Sequence, residues 1–160
     1  MGMELLEEIC SQCGLGVLEC QPLRLKGGFL HKMYSLFTTK GRYAVKLLNP
    51  NIMQRETAMG NYQAAEKLEV MLEKEGIPII PALTFSGRKM QEVDGQFFYL
   101  YEWYDGRALK GEEITQAHCH KIGELLARIH ALSRHEEAHD YGEIHIEWEF
   151  YLKQYSERNK

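Results

Sequence analysis

The sequence predicts an α+β fold: about five strands in a mostly antiparallel sheet with one long helix, followed by further helices. Short runs of alternating apolar and polar residues, separated by glycine, proline and asparagine turns, extend to about residue 103. One segment, residues 54–75, instead has apolar residues at helical spacing. After Asp105-Gly106 only helical patterns follow. Runs of strands followed by runs of helices are typical of the α+β class.

Composition limits the classes of function. The chain has 160 residues, of which 44% are hydrophobic and 26% charged, the size of about one domain with a core of its own. A net charge of −4 gives no basic footprint for nucleic acid. No apolar run approaches the length of a membrane span, and the first residues lack the basic and apolar regions of a signal peptide. We therefore expect a cytoplasmic protein that binds neither nucleic acid nor membrane.

The four cysteines are Cys10, Cys13, Cys20 and Cys119. Without a secretory signal, reduced thiols are the simplest interpretation. Cys10 and Cys13 have the spacing of half a zinc knuckle, and Cys20 could be a third ligand. No second close pair follows, so burial is favoured over metal binding. The same holds for residues 118–120, His-Cys-His, because neighbours on a helix point to different sides.

The first elements follow in order along the chain. Residues 4–13 predict a short amphipathic helix that ends at Gly14. Alternating patterns then predict strands at residues 16–20, 23–25, 33–38 and 42–48, with a turn at residues 39–41. Asn49-Pro50 closes the last of these strands.

The next segment predicts the long helix and a hairpin. Residues 54–75 form the helix, with an apolar side that includes Met59, Leu68 and Val70, and Gly76 ends it. Residues 77–85 predict an extended run. Asp94-Gly95 lies between two strand-like runs, which is a strong signal for a two-residue hairpin turn.

The last part of the chain predicts helices. Residues 112–132 form a long amphipathic helix whose buried face carries Ile114, Ile122, Leu125, Leu126, Ile129 and Leu132. A polar tail ends in a short helix near Trp148. The expected organisation is a first lobe at 1–103, a connector at 104–111 and the first helices of a second lobe at 112–160.

Four features occur in the order expected of a nucleotide-binding lobe. The glycine pair Gly27-Gly28 lies between two strands, where backbone N–H groups can approach an anion; an ordinary turn is the simpler interpretation of the pair alone. Lys46 shares one side of its strand with Ala44 and Leu48, where it must reach solvent or an anion such as a nucleotide phosphate.

The other two features lie on the helix and on the last strand. Glu66 could hold Lys46 in position, although Glu69 remains an alternative and a solvated helix glutamate is the simplest reading. Residues 98–106 run from a strand into a turn before the architecture changes. Such an extended connector exposes backbone groups that suit the edge of an adenine. An aromatic-rich core strand with an ordinary turn is an equally good interpretation of these residues.

Taken together, these motifs resemble the aminoglycoside phosphotransferase-like and choline kinase-like superfamily of small-molecule kinases. The segments are GGFLHKMYSL, YAVKLLNP, EGIPIIP, FYLYEWYDGRAL and GELLARIHAL, within residues 15–132. The resemblance implies a protein-kinase-like N-lobe followed by the first helices of a C-lobe. ATP and Mg²⁺ are the cofactors that it implies, with a hydroxyl group as phosphate acceptor.

The resemblance also implies roles for individual residues. Gly27 and Gly28 match the loop that covers the phosphates, and Lys46 and Glu66 match the phosphate-binding lysine and its helix partner. Glu102 and Tyr104 match the positions whose backbone contacts adenine. His31 matches a loop position often occupied by Asn or His, with no role implied.

The catalytic segment of the superfamily does not occur in this sequence. That segment is His-Gly-Asp with an Asn five residues after the Asp, followed by a second Asp that holds Mg²⁺. The sequence has three aspartates, and the one that follows a histidine, Asp140, precedes Tyr141 and has His145 in place of the Asn. We therefore expect no catalytic and no metal-binding residue in this chain.

The sequence is compatible with two functions. The first is the ATP-binding portion of a small-molecule kinase whose catalytic half is missing, the chain then being a fragment. The alternative is a non-catalytic interaction or regulatory module derived from the same lobe. In both cases Ile122, Leu125, Ile129 and Trp148 need packing partners that the chain hardly supplies, which predicts a partner: the missing C-lobe, another protein chain or a second copy.

Overall fold

One antiparallel sheet forms the centre of the fold. The computed structural model describes residues 2–26 and 30–132. The strands pair in the order β1-β2-β3-β5-β4, each antiparallel to its neighbour. They are β1 Leu23–Leu25, β2 Lys32–Thr38, β3 Gly41–Leu47, β4 Gln91–Val93 and β5 Gln96–Glu102. The predicted α+β class with a five-stranded antiparallel sheet is confirmed.

Four helices accompany the sheet in the part of the chain that is described. They are α1 Met3–Gln12, α2 Pro50–Met53, α3 Ala58–Lys74 and α4 Gln116–Leu132, with one 3₁₀ turn at Gly111–Glu113. The chain divides into two compact units, Met1–Glu113 and Ile114–Lys160. The sheet and the first three helices belong to the first unit. The predicted limits of lobe and connector, at residues 103 and 112, stay predictions.

Two turns have the backbone that the sequence predicts. Gly14 follows α1 with φ +64°, the left-handed conformation that glycine adopts without strain. Asp94 and Gly95 join β4 to β5 with φ +48° and +75°. Positive φ at both central residues is the geometry of a type I′ hairpin turn, so the predicted hairpin is confirmed.

The two sides of the sheet differ in composition. On one side, which we call the α1 face, Leu36, Val45, Leu47, Phe98 and Leu100 pack with helix α1 in the main buried core. The helix contributes Leu6, Ile9 and Cys10 to this core. The other side, the Lys46 face, carries the residues between them: Met33, Ser35, Phe37, Arg42, Ala44, Lys46, Tyr99 and Tyr101. Strand alternation at Lys46 is therefore as predicted.

One predicted strand is wrong, and the predicted extended run at residues 77–85 is not part of the sheet. Residues 16–20 form only an isolated bridge, Leu18 to Thr38, because Gly16 has φ +85° and the chain leaves the edge of β2 after two hydrogen bonds. Residues 77–85 run beside β5 without joining the sheet. The Leu83 N–H donates to the Leu100 carbonyl at 2.7 Å, and Ala82, Leu83 and Phe85 pack against the core residues of the sheet.

The long helix begins later than predicted and is less apolar in its contacts. Asn49 caps α2, its Oδ1 accepting the N–H of Asn51, so a short helix precedes α3. Within α3 only Ala58 is buried. The predicted apolar side is partly in solvent, with Leu68 46% exposed. Hydrogen bonds of its glutamates, together with the packing of Tyr62, attach this helix to the rest of the first unit.

The helix of the second unit also differs from its prediction. It begins at Gln116 instead of residue 112, after the 3₁₀ turn. No residue of α4 is buried, and Ile122 and Leu126 are about half exposed, so the predicted buried face is wrong for the described residues. The predicted tail helix near Trp148 lies outside them. Among the described residues, no helix has the length and apolar character needed to cross a membrane.

Candidate functional site

A small apolar cavity lies on the Lys46 face of the first unit. Its volume is about 260 Å³. The residues lining it come from β2, β3, the segment before β4 and the end of β5: Met33, Ala44, Ile80, Tyr101, Glu102, Trp103 and Tyr104. Ala44 forms the inner wall, and Tyr101 is its partner across the ladder. Larger depressions elsewhere on the first unit do not include Ala44 or residues 102–104.

One edge of the cavity carries backbone groups without partners. The N–H of Trp103 donates to Arg42 and that of Leu48 donates to Phe97, so alternate residue pairs between β3 and β5 are hydrogen bonded. Glu102 pairs with Tyr43 in a position without such bonds. Its N–H and carbonyl therefore point away from β3, and they have no partner among the described residues. Glu102 and Tyr104, which the sequence singled out, both line the cavity.

Lys46 lies two residues from Ala44 on the same face. The side chain is half-buried, and no carboxylate of the described residues lies within salt-bridge distance of it. Its cross-strand neighbours are Met33 on β2 and Tyr99 on β5. A half-buried ammonium without a fixed counter-ion provides positive charge for an anionic ligand.

Glu66 has other partners than the predicted one. Its Oε1 accepts the hydroxyl of Tyr99 at 2.8 Å and the N–H of Met90 at 3.0 Å. The predicted pair between Lys46 and Glu66 is thus not formed in this structure. Burial, together with the hydrogen bond and charge of Glu66, raises the pKa of Tyr99 strongly, so this hydroxyl stays protonated.

The alternative glutamate, Glu69, belongs to a cluster that sequence reasoning missed. Lys89 is buried and binds both Glu69 and Glu73, the latter at 2.6 Å. Glu69 also accepts the N–H of Ala82 at 2.8 Å. Burial alone would lower the pKa of Lys89, but the hydrogen bonds and charges of the two carboxylates raise it overall. Glu66, Glu69 and Glu73 are three and four residues apart on α3, so they lie on one side of the helix. Their carboxylates attach α3 to residues 82–90.

His31 lies immediately before β2 and uses both ring nitrogens. Nδ1 accepts the N–H of Asn49 at 3.1 Å, and Nε2 is 3.2 Å from the hydroxyl of Tyr62 on α3. Burial, and next the charge of Lys46, lower the pKa of His31 from its ordinary value of 6.5. The lower pKa indicates that the ring is neutral at pH 7.

The connector is fixed to β3 by an arginine. The guanidinium of Arg42 lies between the rings of Phe37 and Trp103, 4.2 and 3.6 Å from their centroids. Asp105 accepts the indole N–H of Trp103 at 2.9 Å and lies 3.5 Å from Arg42. The aromatic run in the sequence indicated a core strand or a connector, but it did not indicate this stack.

Other predicted features lie outside the site or the described residues. Gly27 and Gly28 fall in residues 27–29, outside the description, as does Asp140. All four cysteines are free, with Cys10 buried and Cys20 exposed. Among residues 2–26 and 30–132, no group of three or more His, Cys, Asp or Glu could hold a metal ion.

Comparison with known proteins agrees with the motifs. The model of the phosphotransferase enzyme family matches residues 22–159. The chain belongs to this family. The resemblance noted in the sequence is thereby confirmed, including the relation to aminoglycoside phosphotransferases. No curated protein sequence matches the chain.

One solved structure is similar to part of the chain. It is a candidate aminoglycoside phosphotransferase from Ralstonia eutropha JMP134, 19% identical in sequence, with a TM-score of 0.41. The alignment covers 71% of this chain and 31% of that protein. The matched part of this chain spans about a third of that protein's length.

Proposed function

We propose that this phosphotransferase-family chain is an ATP-binding portion of a small-molecule kinase. The base would occupy the cavity beside Ala44, and the phosphates would extend toward Lys46. One observation carries the proposal: one face of one sheet brings together an apolar cavity, a backbone edge and an ammonium, and the last two have no partner among residues 2–26 and 30–132. Any one of these features alone is common.

The cavity suits a planar, partly polar base. Met33, Ala44 and Ile80 offer apolar surface to a ring system. Adenine carries an amino donor next to a ring nitrogen acceptor on one edge. The carbonyl of Glu102 and a backbone N–H of residues 102–104 supply the complementary acceptor and donor at the cavity edge. The binding of the base would thus use main-chain atoms, with no side chain required to read it.

Lys46 lies at a suitable distance to bind phosphate. Residues two apart on a strand are separated by roughly 6.6 Å, so Lys46 is displaced from Ala44 by about the length of a ribose. Lysine binds phosphate as a compact point charge. The partial burial of Lys46 strengthens that attraction, because water screens it less.

We do not extend the proposal to phosphoryl transfer by this chain. The sequence has no His-Gly-Asp segment with an Asn five residues after the Asp, and the described residues lack a group for Mg²⁺. Catalysis and the hydroxyl acceptor therefore require residues from elsewhere. We place this role in the cytoplasm, where the four free thiols would stay reduced.

Calorimetric titration of the 160-residue chain with ATP tests the proposal, with MgCl₂ present and again with EDTA. Replacing Lys46→Ala should weaken binding about tenfold or more, because a charge-assisted contact is lost. Lys32→Ala is the matched control. Lys32 is on the neighbouring strand β2 but on the opposite side of the sheet, and it is exposed.

The control variant should bind as the wild type does. Equal affinity of the wild type and Lys46→Ala would remove Lys46 from the site. Absence of binding by the folded wild type at millimolar ATP would contradict the proposed function itself.

A second candidate function has one observation in its favour. Three large apolar residues of the second unit are each about half exposed: Ile114, Ile122 and Leu126. We propose that a partner, either another protein chain or a second copy, covers this surface in a non-catalytic module. Light scattering after size exclusion tests the second copy: a dimer that Ile122→Glu dissociates supports it. A monodisperse monomer of 18.6 kDa contradicts it.

A further inference from the structure

His31 connects three elements around Lys46. It precedes β2, it accepts the N–H of Asn49, which caps α2, and it meets the hydroxyl of Tyr62 on α3. The contacts continue beyond Tyr62, whose ring lies 6.1 Å from that of Tyr99, the residue opposite Lys46 in the ladder. Two hydrogen bonds and one ring contact thus connect the start of β2 with β5.

The two hydrogen bonds determine where the proton on the imidazole lies. The backbone N–H of Asn49 can only donate, so Nδ1 must carry a lone pair. A neutral ring then has its proton on Nε2, which donates to the hydroxyl oxygen of Tyr62. Both nitrogens are therefore occupied by protein groups, and neither is available to a phosphate in this arrangement.

Protonation would break this bridge. A second proton, on Nδ1, would face the N–H of Asn49 and would add a cation near Lys46. The titratable groups that face the ring are Lys46 on β3 and Tyr62 on α3, and neither compensates a positive charge. The bridge consequently requires the neutral ring.

We propose that His31 is a positioning residue of the Lys46 site and acts as a neutral bridge with its proton on Nε2. It fixes the start of β2 to α2 and α3, and so sets the position of Lys46 relative to α3. The effect on ATP affinity rests on the proposed nucleotide site. The tautomer and the stability effect can be tested without it.

Long-range ¹H–¹⁵N spectra of the nucleotide-free, ¹⁵N-labelled chain identify the tautomer, with His31→Asn used to assign the signals. We expect the proton on Nε2, and we expect Lys46→Ala to raise the pKa of His31 because it removes a neighbouring cation. A proton on Nδ1 at pH 7.5 overturns the proposal.

A pair of substitutions separates bridging from simple packing. The Oδ1 of an asparagine is as many bonds from Cβ as Nδ1 is, so His31→Asn keeps an acceptor for Asn49, whereas His31→Leu keeps none. In urea titrations, His31→Leu loses both hydrogen bonds and should increase the unfolding equilibrium constant about tenfold or more, whereas His31→Asn loses only the bond to Tyr62 and should increase it about fivefold at most. Equal destabilisation by both variants overturns the bridge.

The pH dependence of ATP binding separates positioning from direct contact with phosphate. Comparing the wild type with His31→Asn at each pH cancels the titration of ATP itself. A bridge predicts that wild-type affinity falls relative to His31→Asn as the pH drops below 6.5. A relative rise would mean that protonated His31 binds phosphate, which overturns the positioning role. If the folded wild type binds no ATP, the proposed function fails, while the tautomer and the urea titrations still decide the bridge.

Discussion

The two faces of the sheet are built in different ways. On the α1 face, Leu36, Val45 and Phe98 are fully buried, and α1 covers them with apolar side chains. On the Lys46 face, a smaller apolar cluster around Leu48, Ala82 and Tyr99 lies beside polar contacts. Lys46 and the backbone of Glu102 lack protein partners among the described residues. One face is a closed core; the other combines a small apolar cluster and hydrogen bonds with an open cavity.

This difference separates stability from binding. Apolar burial is non-directional, so the α1 face stabilises the sheet whatever occupies the other side. Hydrogen bonds on the Lys46 face instead position particular groups, such as Glu66 on Tyr99. Substitutions should therefore reduce stability most on the first face, whereas ligand affinity should depend on the second, and four predictions test this difference.

The largest effect is expected on the α1 face. Phe98→Ala should lower the free energy of unfolding by about 3–5 kcal/mol, because the side chain is fully buried and a cavity remains. Urea titration measures the loss. Tyr101→Phe, on the Lys46 face, is the control and should change the value by about 0.5 kcal/mol at most. A similar loss in both variants would show that the faces do not differ in this way.

The next effect concerns the clamp on α3. Lys89→Met leaves Glu69 and Glu73 close together without their cation, and should cost about 2 kcal/mol. Lys67 is exposed on α3, and Lys67→Met should lower the free energy of unfolding by about 0.5 kcal/mol or less. Hydrogen exchange of the α3 amides should accelerate only in the first variant. Equal stability of the two variants would argue against a polar attachment of this helix.

A smaller effect is expected in ATP binding at the cavity edge. Tyr104→Pro removes one backbone N–H and should weaken ATP about fivefold if that group binds the base. Tyr104→Ala keeps the N–H and should stay within about twofold of the wild type. Calorimetry measures both. Equal weakening in the two variants would assign the effect to the side chain instead.

The smallest effect is a dependence of stability on pH. Because the folded pKa of His31 lies below its unfolded value of 6.5, the neutral ring is favoured on folding. Its contribution is complete above pH 6.5 and is lost as the pH falls through the folded pKa. Urea titrations between pH 7.5 and 5 should show this loss in the wild type relative to His31→Asn. Parallel curves would contradict it.

Local sequence patterns predicted the sheet well. The alternation in β3 placed Ala44 and Lys46 on one side, and Asp94-Gly95 predicted the β4–β5 hairpin. Both signals depend on neighbours in the chain: side chains on a strand alternate, and two left-handed residues favour one turn. The segments at residues 16–20 and 77–85 also had apolar patterns of extended chain. Whether such a segment pairs with a sheet depends on its neighbours in space, which the local pattern does not show.

The contacts of the site were harder to predict. The partner of Glu66 depends on Tyr99, 33 residues away, and on Met90 in an irregular segment. His31 reaches Asn49 and Tyr62, 18 and 31 residues away. Such pairs have no periodic signal, so the sequence indicated the types of residue at the site without their partners.

An NMR titration of the full chain with ATP tests the separation of the two faces most directly. We expect the largest amide shift changes at Ala44, Lys46 and residues 102–104. The amide signals of Leu36, Phe98 and the α1 residues should hardly change. Shifts centred on the α1 face, or no shifts at millimolar ATP in the folded protein, would contradict this separation.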